Sequence, residues 1–144
     1  MNRVESLVKE LQDAYDGEPW YGDSLRQTLD GILDGTDESR LRERPRIPEL
    51  VAHITSWIEI TNRRLDGEIF EVTDEINFRT PGAWANDLAR LDQAHRALLD
   101  RVAKLTDAEL DQKMAGKPHS VEYGVRGVVQ HNIYHQGQIA LLRK

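Results

Sequence analysis

Hydrophobic residues recur every three or four positions along most of this chain, which is the spacing of one face of an amphipathic α-helix. The first such run contains Val4, Leu7, Val8, Leu11 and Tyr15. The stretch 16–23 interrupts it with two glycines and Pro19, and proline cannot continue a helix interior. In a compatible phase, the apolar spacing then resumes at Leu25, Leu29, Ile32 and Leu33. The pattern predicts a first helix that is interrupted near Pro19, with its two pieces nearly end to end.

Two longer runs predict the next helices. Pro48 suits the first turn of a helix, where its missing N–H is not needed, and the apolar spacing continues over 48–65. A further run over 84–105 alternates spacings of four and three, which is typical of a seam in a helical bundle. Ser120 can cap a last helix that runs to about Arg143.

The segments between these runs are polar or irregular. The stretch 34–46 is predicted to be a loop or a short solvated helix. The stretch 66–83 breaks the helical period, and 105–119 is a connection with room for one helical turn. No strand pattern alternates with the helices, so the four main helical segments predict an all-α four-helix bundle.

Composition narrows the class of protein. A length of 144 residues suits one domain over 1–144. A formal net charge of −6 gives no electrostatic reason to expect nucleic acid or an anionic membrane as a partner. The absence of cysteine excludes a disulfide scaffold, a thiolate metal site and a cysteine nucleophile. Without a signal-peptide pattern or a long apolar run, we expect a cytoplasmic protein with no membrane segment.

Two of the five histidines, His131 and His135, lie one helical turn apart on the predicted last helix. Their Cβ atoms should be roughly 5–6 Å apart, so both rings can bind one ion. Zinc proteases use the same spacing, but Asn132 replaces the glutamate that is their general base, which argues against a protease. His53, on the inward side of its own helix, adds a third imidazole. Three neutral imidazoles suit Zn²⁺, Ni²⁺, Fe²⁺ or Mn²⁺ with positions open for water or substrate.

Spacing alone also allows the histidines to be ordinary core residues, because a core-facing histidine is usually a hydrogen-bonded packing residue. His95 occupies a seam position among leucines, so it is predicted to be a packing or rim residue, with a role as fourth ligand as the alternative. His119 follows Pro118 in a connection and is predicted to be solvated.

Two stretches resemble the DinB/YfiT-like family of metal-dependent bundle proteins: "PELVAHITSWIEITNRRL" (48–65) and "GVVQHNIYHQGQIALLRK" (127–144). The stretch "AYDGEPWYGDSLRQTLDGI" (14–32) resembles that family's first-helix segment more weakly. The resemblance implies a four-helix bundle, often dimeric. It also implies a metal held by one histidine of the second main helix and two of the last helix, which by position are His53, His131 and His135.

The resemblance further implies a class of reaction. Related enzymes include thiol-dependent S-transferases, maleylpyruvate isomerases and hydrolases, all of which use the metal to activate a thiol or water. Relatives often carry Trp-His-Gly where this chain has Trp20, Tyr21 and Gly22. If that histidine takes part in the chemistry, this chain lacks it or uses Tyr21 instead.

We therefore expect a metal-dependent transferase or hydrolase that acts on a small molecule. Any thiol must come from a low-molecular-weight cosubstrate, since the chain has no cysteine. The candidates for catalysis are Tyr134, Gln138 and Tyr21, and the candidates for the pocket wall are Trp57 and Trp20. The alternatives are a non-catalytic metal-binding protein related to stress and a structural bundle whose histidines are core residues.

The last helix also bears on assembly. Its side opposite the histidines carries Val125, Val129, Ile133 and Ala140. A helix that is apolar on two sides is buried on two sides, either by the rest of the bundle or by a second copy. We expect a two-fold homodimer, which is the commonest assembly.

Overall fold

The computed structural model describes residues 1–32 and 45–143, and within these ranges its regular secondary structure is helical. The helices are α1 (Arg3–Tyr15), α2 (Leu25–Leu29), α3 (Ile47–Leu65), α4 (Asp74–Asn77), α5 (Trp84–Ala103), α6 (Asp107–Leu110) and α7 (Val121–Leu142). The four long helices α1, α3, α5 and α7 are those that the hydrophobic pattern predicts. The predicted all-α four-helix bundle is confirmed.

Capping explains where several helices begin. The Ser120 side chain accepts a hydrogen bond from the Tyr123 backbone N–H at 3.1 Å, as predicted for the start of α7. Pro48 lies in the first turn of α3. The interruption near Pro19 is also confirmed, because α1 ends before it and α2 begins after it, where Ser24 and Gln27 form a capping box. The second piece is only five residues long.

The hydrophobic core lies between the long helices. α3 packs against α5 and α7, and α1 packs against the same two helices. The side of α7 opposite the histidines is part of this core, since Val125 and Val129 are buried and Ile133 packs against them. The chain itself therefore covers the second apolar side of α7, and the homodimer stays a prediction.

The connections hold two short helices. The stretch 66–83 contains α4, a single turn that the hydrophobic pattern did not predict, capped by Thr73. The stretch 105–119 contains the one predicted turn, α6. Most of the predicted loop 34–46 lies outside the described residues. None of the helices in the two described ranges is long and apolar enough to cross a membrane.

Candidate metal centre

The three predicted histidines meet between α3 and α7. The ring centroid of His53 is 4.9 Å from that of His131 and 4.8 Å from that of His135. The rings of His131 and His135 are 4.5 Å apart. One nitrogen from each half-buried side chain lies within 4.8 Å of the other two, so the group can hold a metal ion.

The other nitrogen of each ring faces an oxygen. Nδ1 of His53 is 2.8 Å from the backbone carbonyl of Asn77, and Nδ1 of His135 is 2.6 Å from Oε1 of Gln138. Nδ1 of His131 is 3.4 Å from Oδ1 of Asn132. Because these oxygens accept hydrogen bonds, we assign a proton to Nδ1 of each ring. The Nε2 lone pairs are then free, which is the arrangement found around metal-binding histidines.

With these protons assigned, the free lone pairs are placed to bind a cation. Nε2 of His53 and Nε2 of His131 are only 3.1 Å apart, and two acceptors at that distance repel each other. Burial lowers the pKa of His131 to about 4, with smaller contributions from the two neighbouring histidines, and burial also lowers the pKa of His135. These two rings are therefore neutral at pH 7, as ligands must be. A set of three neutral imidazoles fits a divalent transition metal ion.

Helix α4 supports the site from outside. Asn77 accepts a hydrogen bond from Trp57 Nε1 through its side chain at 2.8 Å, while its backbone carbonyl faces His53. The Trp57 ring lies 5.7 Å from the His131 ring. Sequence reasoning missed Asn77, although Thr73 followed by two acidic residues is a recognisable start of a helix. Its contact with His53 spans 24 residues and leaves no local signal.

Two cavities adjoin the histidines, with volumes of about 660 and 550 Å³. The first, here named the polar cavity, is lined by Arg46, Glu49, Leu50, Arg79, Thr80 and Gln138, among others. The second, here named the aromatic cavity, is lined by Trp57, Thr61, Arg64, Met114, His119 and Tyr123, among others. Both include His53, Phe78 and His135, so the centre is reached from two sides.

Of the remaining predicted site residues, two line the cavities and three do not. Gln138 lines the polar cavity and Trp57 lines the aromatic cavity. Tyr134 is exposed, and its ring packs edge-on against His135 at 5.1 Å without lining either cavity. Trp20 is almost fully exposed, Tyr21 is exposed, and neither lines the two cavities.

The other two histidines differ from each other. His95 is buried and stacks on Tyr15 with ring centroids 3.7 Å apart, which confirms the packing role; it is not part of the metal-binding group. His119, predicted to be solvated, is half-buried and lines the open aromatic cavity, so it is only partly exposed to solvent. The chain folds back there, with the His119 carbonyl accepting from the Met114 backbone N–H at 3.0 Å.

Comparison with known proteins assigns the chain to a family. A sequence profile of the DinB superfamily matches residues 22–139, which is more than half of the chain and contains all three histidines of the centre. No match is found among curated proteins or among solved structures. With most of its length covered by that profile, and with a helical bundle that brings the three histidines together, the chain belongs to the DinB superfamily.

Proposed function

We propose that this protein is a metalloenzyme that holds a divalent ion through His53, His131 and His135 and activates a thiol cosubstrate or water to act on a small molecule. The observation that carries the proposal is the convergence of one nitrogen from each of the three histidines, while each Nδ1 faces an oxygen. Histidines with a packing role would pair their remaining nitrogens with donors. Here, two of these nitrogens face each other at 3.1 Å.

When bound, a divalent ion supplies Lewis acidity and lowers the pKa of a coordinated water or thiol. The residues of the chain prepare for this chemistry by fixing the ligands. Asn77 and Gln138 hold the rings of His53 and His135 in orientation and raise their basicity through the hydrogen bonds to Nδ1. Because the chain has no cysteine, the thiol of a transfer reaction must come from a cosubstrate.

The two cavities favour transfer over hydrolysis. A transfer reaction brings two molecules together at one ion, and the polar and aromatic cavities give each molecule its own approach. Hydrolysis needs only one cavity for an organic substrate, so it is the second candidate. Non-catalytic metal storage would be served by a closed site, and two open cavities argue against it.

Metal content tests the first part of the proposal. We would measure transition metals in tag-free protein as purified, and after incubation with zinc, nickel, manganese or iron under reducing conditions. We expect about one ion per chain, lost in His53→Ala and in His131→Ala. His119→Ala is the matched control, because this histidine lines the aromatic cavity but is outside the metal-binding group. No uptake of any of the four metals would overturn the proposal.

Activity tests the second part. Metal-loaded protein would be mixed with a small thiol and 1-chloro-2,4-dinitrobenzene, and thioether formation would be followed by absorbance. Hydrolysis of 4-nitrophenyl acetate would be measured in parallel. We expect faster thioether formation than with His131→Ala. Ester hydrolysis alone would favour water as the nucleophile, and neither reaction in fully loaded protein would favour the non-catalytic alternative.

A further inference from the structure

The aromatic cavity contains one side chain with a permanent charge. Of the described residues that line it, Arg64 is the sole arginine or lysine, and none is an aspartate or glutamate. The rest of its wall is aromatic, aliphatic or neutral polar. Among the side chains of the wall, a ligand in this cavity therefore meets one permanent positive charge, that of Arg64.

Arg64 has no ion-pair partner within the described ranges, unlike arginines nearby. Arg63, the preceding residue, binds Glu68 at 2.9 Å, and Arg101 binds Asp66 at 2.8 Å. The guanidinium of Arg64 instead lies 5.8 Å from the centroids of two aromatic rings, those of Trp57 and Phe70. It is half-buried, and burial lowers the pKa of Arg64, although an arginine stays charged. A partly desolvated cation without a counter-ion is stabilised by an anionic ligand.

The position of Arg64 sets the orientation of such a ligand. His53, Trp57, Thr61 and Arg64 follow one another at spacings of four, four and three, so they share one face of α3. The Trp57 ring is 5.8 Å from Arg64 Cζ and 5.7 Å from the His131 ring. A cation, a flat apolar surface and the three histidines thus follow one another along the cavity, at distances that a small aromatic molecule can span.

We propose that Arg64 determines specificity by binding the carboxylate of a small aromatic or apolar acid that lies along Trp57 with its reactive group towards His131. One guanidinium matches a group with one negative charge, and its paired N–H donors fit the two oxygens of a carboxylate. At Arg64 itself, a doubly charged phosphate would keep one charge without a partner. The orientation of the reactive group rests on the proposed metalloenzyme function, but the carboxylate contact does not need a metal.

The experiment compares acids with their amides. Benzoate, phenylacetate and 3-phenylpropionate would be titrated into metal-loaded and metal-free protein by calorimetry, each beside its neutral amide. We expect at least one acid to bind about tenfold or more tightly than its amide, as a charge-assisted bidentate contact implies. Arg64→Gln should abolish this preference and Arg64→Lys should retain part of it. Circular dichroism would show that both variants are folded.

Arg63→Gln is the matched control, since Arg63 is adjacent, pairs with Glu68 and does not line the aromatic cavity. We expect it to bind the acids as the wild type does. Equal binding of acid and amide in every pair, no binding of any acid at millimolar concentration, or an acid preference that survives in Arg64→Gln would each overturn the assignment. If the protein prefers acids over amides but takes up no metal, the proposed metalloenzyme function is refuted and the carboxylate site at Arg64 is retained. One bound metal without acid preference would refute only the role of Arg64.

Discussion

At the scale of single residues, we expect the partners of the histidine Nδ1 atoms to set the affinity of the candidate centre for an ion. Gln138 makes the shortest of these contacts, at 2.6 Å from His135, whereas Asn132 is 3.4 Å from His131. We expect Gln138→Ala to weaken metal affinity by about 10- to 100-fold, because His135 loses the acceptor that orients its ring. Competition with a chromogenic chelator would measure the affinity. Gln130→Ala, an exposed position on the same helix, is the control; equal affinities for the two variants would contradict the prediction.

His95 governs a different property, the response of stability to acid. Burial lowers the pKa of His95 to about 4. Asp16 and Asp92 oppose this shift by raising the pKa, and Arg96 adds to it by lowering the pKa. The unfolded chain, with an ordinary histidine pKa near 6.5, therefore binds the proton more readily than the folded chain. The free energy of unfolding that depends on a neutral His95 is therefore present above pH 6.5 and is lost as the pH falls towards 4. This loss is on the order of 3 kcal/mol.

The variant His95→Phe tests this response. Phenylalanine can keep the stack on the Tyr15 ring and removes the buried Nε2 atom, which has no hydrogen-bond partner in the described structure. We expect the free energy of unfolding in urea to fall less between pH 7 and pH 5 in the variant than in the wild type. The difference between the two proteins cancels the contributions of the other histidines. Parallel pH profiles would show that His95 does not carry this dependence.

At the scale of elements, the short helix α4 joins α3 to the metal centre. Asn77 ends this helix, and its side chain accepts from Trp57 Nε1. We expect Asn77→Ala to lower the free energy of unfolding by about 1–3 kcal/mol, because it leaves a half-buried N–H without its partner. Metal affinity should fall as well, since the Asn77 carbonyl would hold His53 less firmly. Urea unfolding and chelator competition measure both effects, with Glu75→Ala on the exposed side of α4 as the control. Unchanged stability in Asn77→Ala would refute this anchoring role.

The elements also show how far local patterns reach. α3 and α7 begin where Pro48 and Ser120 predict, because capping and a fixed φ act within a few residues. α4 escaped prediction since four residues are too few to show a helical period. The pattern on the second apolar side of α7 left open whether the bundle or a second copy covers it, because burial on two sides does not specify what buries it. In the structure, Val125, Val129 and Ile133 on this side belong to the chain's own core.

At the scale of the whole molecule, we propose the exposed face of α7 as the interface of the expected homodimer, because the chain itself covers the apolar side considered from the sequence. The large exposed residues of α7 are Tyr123, Tyr134 and Leu141, and they share one side of the helix at spacings of eleven and seven. We expect a particle of twice the 16.5 kDa chain mass in sedimentation velocity, and a shift towards monomer for Tyr134→Glu, which places charge on this apolar face. Glu122→Gln, on the same helix, is the control. A wild-type monomer at all concentrations would exclude the dimer.

The chain's periodicity and caps were enough to predict a helical bundle, and the spacing of His131 and His135, with the resemblance, was enough to choose three histidines. These signals are local, since helix formation and i, i+4 contacts depend on neighbouring residues. Tertiary packing determined the rest: the carbonyl of Asn77 beside His53, the half-burial of His119, and the cavity that joins Arg64 to the histidines. Each depends on how α3, α4 and α7 pack, and residues far apart in sequence leave no periodic trace of the contacts that packing creates.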